Sequence, residues 1–292
     1  MKIKTLYAIG VYIMAMIFMS SCAQQSANPA LTVSILPQKY LLERIVGDKY
    51  EVACLLAQGS NPESYEPEMA HLVALERCKA YFSVGTIPFE KALLARMQEN
   101  ASDVKVINTS AEISLLKGTH SGIGHSHGHA CNHEVDPHVW TSVVNAKCIA
   151  HSMYESMIEL DAANADCYTA NYDALCASLD SLHSVIACKL QAKKGSAFAV
   201  WHPSLSYYAR DYGLMQIAME VEGKEVPANK LKESIERAGS QGVKVIFFQK
   251  EFDNRQVLNI NEALGAKMVE INPMSYDWVG EMIKITDALA TE

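Results

Sequence analysis

The chain has 292 residues, 49% of them hydrophobic and 20% charged, with a formal net charge of −8. That is the composition of a soluble globular protein with apolar residues enough for one large domain or two lobes. The acidic balance argues against nucleic acid as a partner, since phosphate recognition asks for clustered Lys and Arg, and it is neutral toward a metal cation.

In chain order, Lys2 and Lys4 come first and lead into Thr5–Met19, an uncharged apolar run of 15 residues followed by Ser20-Ser21-Cys22. A membrane-spanning helix needs roughly 20 residues. Small residues directly before a cysteine predict instead an export leader over 1–21, with Cys22 lipidated as the new N-terminus and 22–30 as a tether. Seven further cysteines remain, with no CxxC pair, so neither a zinc ribbon nor a thioredoxin-like motif is suggested and no disulfide is assigned.

Leu31–Leu36 reads as a buried strand ending at Pro37, Tyr40–Val46 as a helix, and Tyr50–Leu56 as a second strand. Gly59–Pro67 is dense in turn formers and reads as a loop. Met69–Cys78 is helical, Ala80–Val84 a strand, Phe89–Met97 a helix and Val104–Ile107 a strand. Asn145–Leu160 and Ala162–Gln191 read as helices, the second with apolar residues at Leu175, Leu179, Leu182, Ile186 and Leu190. It is long enough to join two lobes as a strut. Strands Ser196–Val200, Met215–Met219, Val243–Phe248 and Lys267–Ile271 then alternate with helices Ser206–Tyr212, Ala228–Ala238, Arg255–Leu264 and Trp278–Leu289.

Strand–helix alternation predicts mainly parallel sheets flanked by helices. The expected fold class is α/β with two lobes joined by one long rigid helix: 31–142 as a first lobe, 143–194 as the helical segment, and 195–292 as a second lobe. In such sheets ligands gather at the carboxyl ends of strands.

Six of the ten histidines fall between His120 and Trp140. His120, His125, His127, His129 and His133 lie in a loop, 120–133, that reads as an accessory to the site rather than the site itself; Cys131 lies inside it. His138 differs, standing in Asp136-Pro137-His138-Val139-Trp140 as a buried residue would. His202 directly follows the strand ending at Val200, in Trp201-His202-Pro203. One histidine thus sits at an element end in each half. Metal chemistry asks for further donors, and Glu63 after the second strand and Asn272 after the last strand are the candidates, with Glu251 competing for the latter role. Two imidazoles and a carboxylate suit zinc and, with more oxygen donors, manganese or iron.

These residues resemble a known family, the metal-binding proteins of bacterial zinc and manganese ABC importers (cluster A-I solute-binding proteins). The resemblance rests on Ser34-Ile35-Leu36-Pro37, Ser64-Tyr65-Glu66-Pro67, Asp136-Pro137-His138-Val139-Trp140, His202 with Tyr207-Tyr208-Ala209, and Val243-Lys244-Val245-Ile246-Phe247. It covers nearly all of the chain after the leader. It implies a metal in the cleft between the lobes, held by Glu63, His138, His202 and Asn272, and a His-rich loop that gathers or senses zinc. This chain has Glu63 where the family usually has histidine and Asn272 where it often has an acidic residue, which hardens the site toward manganese. The His-rich loop and the two imidazoles keep the expectation on Zn²⁺, with Mn²⁺ as the alternative.

The expected function is capture of Zn²⁺ outside the cytoplasmic membrane and delivery to an ABC permease and its ATPase. The carrier would be a monomeric lipoprotein anchored at Cys22, facing the periplasm or cell exterior, with no nucleic-acid partner and no enzymatic activity. HExxH does not occur in the sequence. A metal-storing, sensing or adhesive lipoprotein without a permease is the other class that this fold serves.

Overall fold

Proline decides where the first helix begins. The computed structural model describes residues 31–99, 103–118, 135–220, 227–249, 260 and 262–292. Strand β1 is Leu31–Val33 and helix α1 is Leu36–Val46. The sequence places the strand end at Leu36 and the helix start at Tyr40. In the structure the strand ends at Val33 and the helix already starts at Leu36, because Pro37, with its fixed φ and missing N–H, fits the first helical turn. Gln38 Oε1 accepts the N–H groups of Ser34 (3.0 Å) and Ile35 (3.4 Å), capping that turn.

The remaining elements follow the expected alternation. They are β2 (Val52–Cys54), α2 (Met69–Glu76), β3 (Ala80–Ser83), α3 (Pro88–Glu99), β4 (Lys105–Asn108), α4 (Val143–Leu160), α5 (Ala165–Leu190), β5 (Ala197–Val200), α6 (Ser206–Tyr212), β6 (Met215–Ala218), α7 (Ala228–Ser240), β7 (Val245–Phe248), β8 (Lys267–Glu270) and α8 (Trp278–Ala290). The helix expected over Arg255–Leu264 lies mostly outside the described residues, as do Cys22, the leader and the His-rich loop. Among the described residues no helix is long and apolar enough to cross a membrane. Cys54, Cys78, Cys148, Cys167, Cys176 and Cys188 are free thiols.

Two four-stranded sheets result, ordered β2-β1-β3-β4 and β6-β5-β7-β8, with every pairing parallel. The identical order places a topological switch point between β1 and β3, and another between β5 and β7. A crevice opens there at the strands' carboxyl ends. The long helix starts later than its apolar pattern suggests. Ala162–Asn164 is a tight 3₁₀ turn, because Asp161 collects hydrogen bonds from Asn164 Nδ2 (2.8 Å), Tyr168 OH (2.7 Å) and Tyr50 OH (3.1 Å). Helix α5 then runs 26 residues, about 39 Å at 1.5 Å per residue.

Its buried stripe of Leu175, Leu179, Leu182, Ile186 and Leu190 packs against α1, α4 and α8. One continuous apolar cluster therefore joins Leu31, Val33 and Phe82 of the first sheet to Phe198, Val200 and Phe247 of the second. A smaller cluster around Ala199, Ile217 and Ile246 fills the other face of the second sheet. The cleft floor is stitched by three buried polar tips. Trp278 Nε1 donates to Trp140 O (2.9 Å), Trp140 Nε1 to Pro273 O (3.1 Å), and Tyr207 OH to Asp136 O (2.9 Å). Each apolar ring is thereby pinned by its polar end.

A core shared by both sheets unfolds as one unit. Leu179→Ala, at a position 1% exposed, is expected to cost about 2–5 kcal/mol while urea unfolding remains a single transition. Two separable transitions, followed by tryptophan fluorescence and circular dichroism, would contradict the shared core.

Candidate metal centre

His138 is fixed by the two residues before it. Pro137 restricts the chain, and Asp136 Oδ1 accepts both the backbone N–H of His138 (2.9 Å) and its ring Nδ1–H (2.9 Å). A 3₁₀ turn, Val139–Thr141, follows at once, and Thr141 returns hydrogen bonds to His138 O from its N–H (3.1 Å) and Oγ1 (2.9 Å). His202 stands one residue beyond the point where Trp201 N–H still bonds Phe247 O (2.8 Å). Its Nδ1–H donates to Glu220 Oε1 at 2.8 Å. Glu63 lies in the loop after β2, where its N–H donates to Asn61 Oδ1 (2.8 Å), an Asx turn.

These three residues, from distant parts of the chain, converge. His202 Nε2 is 3.1 Å from His138 Nε2 and 3.4 Å from Glu63 Oε1. The donor atoms of Glu63, His138 and His202 all lie within 4.8 Å of one another, and this is the one such group among the described residues. Both imidazoles are buried, at 4% and 2% exposure, while Glu63 keeps a partly open side. With each Nδ1 facing a carboxylate, the two Nε2 atoms face each other and His202 Nε2 faces Glu63. A proton shared by the two Nε2 atoms, or a metal cation in its place, satisfies that meeting of acceptors. The carboxylate–histidine pairings set the ring tautomers and raise ligand basicity, as second partners do in zinc sites.

Burial pushes the His202 imidazole down to about 3, helped by its neighbour His138 and opposed by Glu63 and Asp136. The ring is therefore already neutral near pH 7, the form a metal requires. At Asp136, burial raises the carboxyl, but the hydrogen bonds and charge of His138 outweigh it and hold the group below the usual range.

Asn272 sits at the carboxyl end of β8, as expected, but its Oδ1 accepts Met274 N–H (3.1 Å) in an Asx turn and its N–H donates to Glu281 Oε2 (3.0 Å). A cavity of about 10 Å³, one atom's room, lies against the histidine pair, with Ser60, Ser204, Gln249 and Met274 in its wall. A larger hollow of about 240 Å³ at the far end of the second sheet carries Lys193 and Lys244, poor company for a cation. Glu251, His120, His125, His127, His129, His133 and Cys131 lie outside the described residues. The reading from sequence gave Asp136 no role and missed Glu220, which follows β6 at the same strand edge as the other site residues.

Residues 31–292 match the family described as ZnuA, zinc-uptake complex component A periplasmic. The chain is 32% identical to ZnuA in a crystal structure, covering 89% of this chain and 97% of that one with a TM-score of 0.80. A ZnuA deletion mutant with zinc bound is 33% identical, covering 89% and 96%, with a TM-score of 0.79. The zinc-binding lipoprotein AdcA of Streptococcus pneumoniae is 26% identical over 267 residues, 88% of this chain and 53% of that protein. The chain spans about half the length of the curated relatives it matches.

A histidine held neutral by the fold binds its proton more readily in the unfolded chain, where its pKa is 6.5. Stability of the metal-free protein therefore rises with pH between about 3 and 6.5 and is lost as pH falls through that window. Urea midpoints at pH 7 and pH 5 check this: a lower midpoint at pH 5 is expected, and His202→Gln flattens the difference. Equal midpoints in the parent chain would contradict it.

Proposed function

This chain belongs to the zinc-uptake complex component A family, and from that premise we propose that it captures Zn²⁺ outside the cytoplasmic membrane for an ABC importer. Glu63, His138 and His202 are the proposed ligands, and a permease with its ATPase is the proposed recipient. The observation that carries the reading is the convergence of two carboxylate-backed imidazoles with a third, acidic donor. Asn272 Oδ1, which already accepts Met274 N–H, has a second lone pair with which it would join as a fourth ligand.

Zinc is favoured over manganese because imidazole nitrogen binds zinc more tightly along the Irving–Williams order. Glu63 makes the site harder than one of three imidazoles and leaves manganese as a secondary cargo. The shared core and the stitched cleft floor favour a small closure around the ion, with little ordering to be done on binding. The leader 1–21 and lipidation at Cys22 would hold the carrier at the membrane surface. The lipoprotein relative AdcA supports that placement. The histidines of 120–133 serve as an accessory gathering segment. No chemical transformation is ascribed to the protein.

Competition titration with a chromophoric zinc chelator tests the site. His202→Ala is expected to weaken zinc binding by roughly 100-fold or more, beyond what loss of an outer partner causes. Deleting Ser121–Asn132 is expected to leave the tight site intact and remove only weak ones. The opposite pattern, with tight binding lost on deletion and kept in His202→Ala, would overturn the assignment. Glu63→His is expected to raise the zinc-to-manganese affinity ratio, and an unchanged ratio would remove Glu63 from the ligand set.

A further inference from the structure

We propose that Thr86, fixed by the buried carboxylate of Glu90, is a positioning residue for His138 and so for the grip of the cleft on zinc. The proposal rests on His138 being a ligand. After β3 the chain makes a turn, Val84 to Ile87, before α3. Glu90 is 2% exposed. Its two oxygens accept the N–H groups of Val84 (2.6 Å) and Gly85 (2.7 Å), and one also accepts the Ser34 hydroxyl. Ser34 Oγ is in turn bonded to Tyr81 OH at 2.6 Å. From the other side the Ser110 hydroxyl donates to Val84 O. Gly85 has φ +90, and a β-carbon there would collide with the Asn108 side chain. The turn is therefore locked by buried groups on both sides, and only glycine fits its centre.

Directly after these locks stands Thr86, whose Oγ1 donates to Pro137 O at 2.8 Å. Pro137 O also accepts Val139 N–H at 2.9 Å, and His138 N–H is held by Asp136 Oδ1. The carbonyl edge and the N–H edge of the Pro137–His138 peptide are thus both tied, the carbonyl edge to the first sheet through Thr86. A peptide plane held at both edges cannot rock, so the imidazole it carries keeps its place opposite His202. Metal sites need such placement to about 0.5 Å. A carboxylate buried this far from the cleft's donors is costly unless fully hydrogen-bonded. Its bonds go to the very turn that reaches His138.

Thr86→Val removes the hydroxyl at nearly constant volume, and Thr86→Ser keeps it. In chelator competition on the full chain, Thr86→Val is expected to weaken zinc about tenfold, the lower end for partners outside the ligand sphere. Thr86→Ser is expected to bind like the parent, and the metal-free melting temperatures of the two variants to stay together. Glu90→Gln, which turns an acceptor into a donor facing an N–H, is expected to weaken zinc in the same direction. Should Glu90→Gln fail to fold, the threonine pair still decides the matter. Parent-like zinc binding in Thr86→Val, or equal weakness in Thr86→Ser, would overturn the proposal. Parent-like binding in a folded Glu90→Gln would remove Glu90 from it. His138→Ala, titrated alongside, separates the two levels. If it abolishes tight binding while Thr86→Val does not weaken it, only the positioning role fails. If it leaves binding unchanged, the ligand assignment fails too.

Discussion

Two imidazole nitrogens face each other across 3.1 Å, each ring holding its other nitrogen against a carboxylate. Two buried imidazoles, with a carboxylate oxygen 3.4 Å from His202 Nε2, do not stay together on their own. The fold supplies the restraint. His138 and His202 come from different halves of the chain, so nothing local can hold them together. The arrangement persists because both halves share one apolar core along α5 and because Trp140, Trp278 and Tyr207 tie the segment bearing His138 to the second lobe. Stability of the core and readiness for a cation are thus one property seen at two scales.

Burial does two further things. It keeps His202 neutral, so a cation meets a ligand rather than a proton. It also leaves Glu63 as the least enclosed donor, at 20% side-chain exposure against 2% for His202. Glu63 is thus the one of the three that faces the partly open side. The loop bearing Glu63 is built from short Asx geometry and prolines rather than a ladder.

Much of this was legible in the chain itself. Alternating short apolar runs and amphipathic stretches pointed to two parallel sheets. The strand-edge rule put Glu63 and the segment leading to His138 at one edge and His202 at a matching element end in the other half; the family resemblance, not the spacing, implied that they share one cleft. The strands are shorter than their apolar runs because residues such as Ser34, Ile35, Leu55, Leu56 and Val84 stay buried after the ladder ends. Hydrophobicity reports burial, and pairing has no separate signature. Pro37 was ambiguous for a similar reason, since a proline ends a strand and opens a helix with equal ease. Glu220 was invisible because its partnership with His202 depends on β6 lying beside β5, a non-local fact. At Asn272 the backbone reaches the strand edge where expected, and the side-chain oxygen accepts Met274 N–H.

The most direct measurement is diffraction from zinc-loaded crystals, with anomalous data collected on both sides of the zinc edge. The account predicts one strong anomalous peak in the cleft, about 2.0–2.2 Å from His138 Nε2, His202 Nε2 and a Glu63 oxygen. A cleft without anomalous density, with the tightly bound zinc held instead by histidines of 120–133, would contradict it.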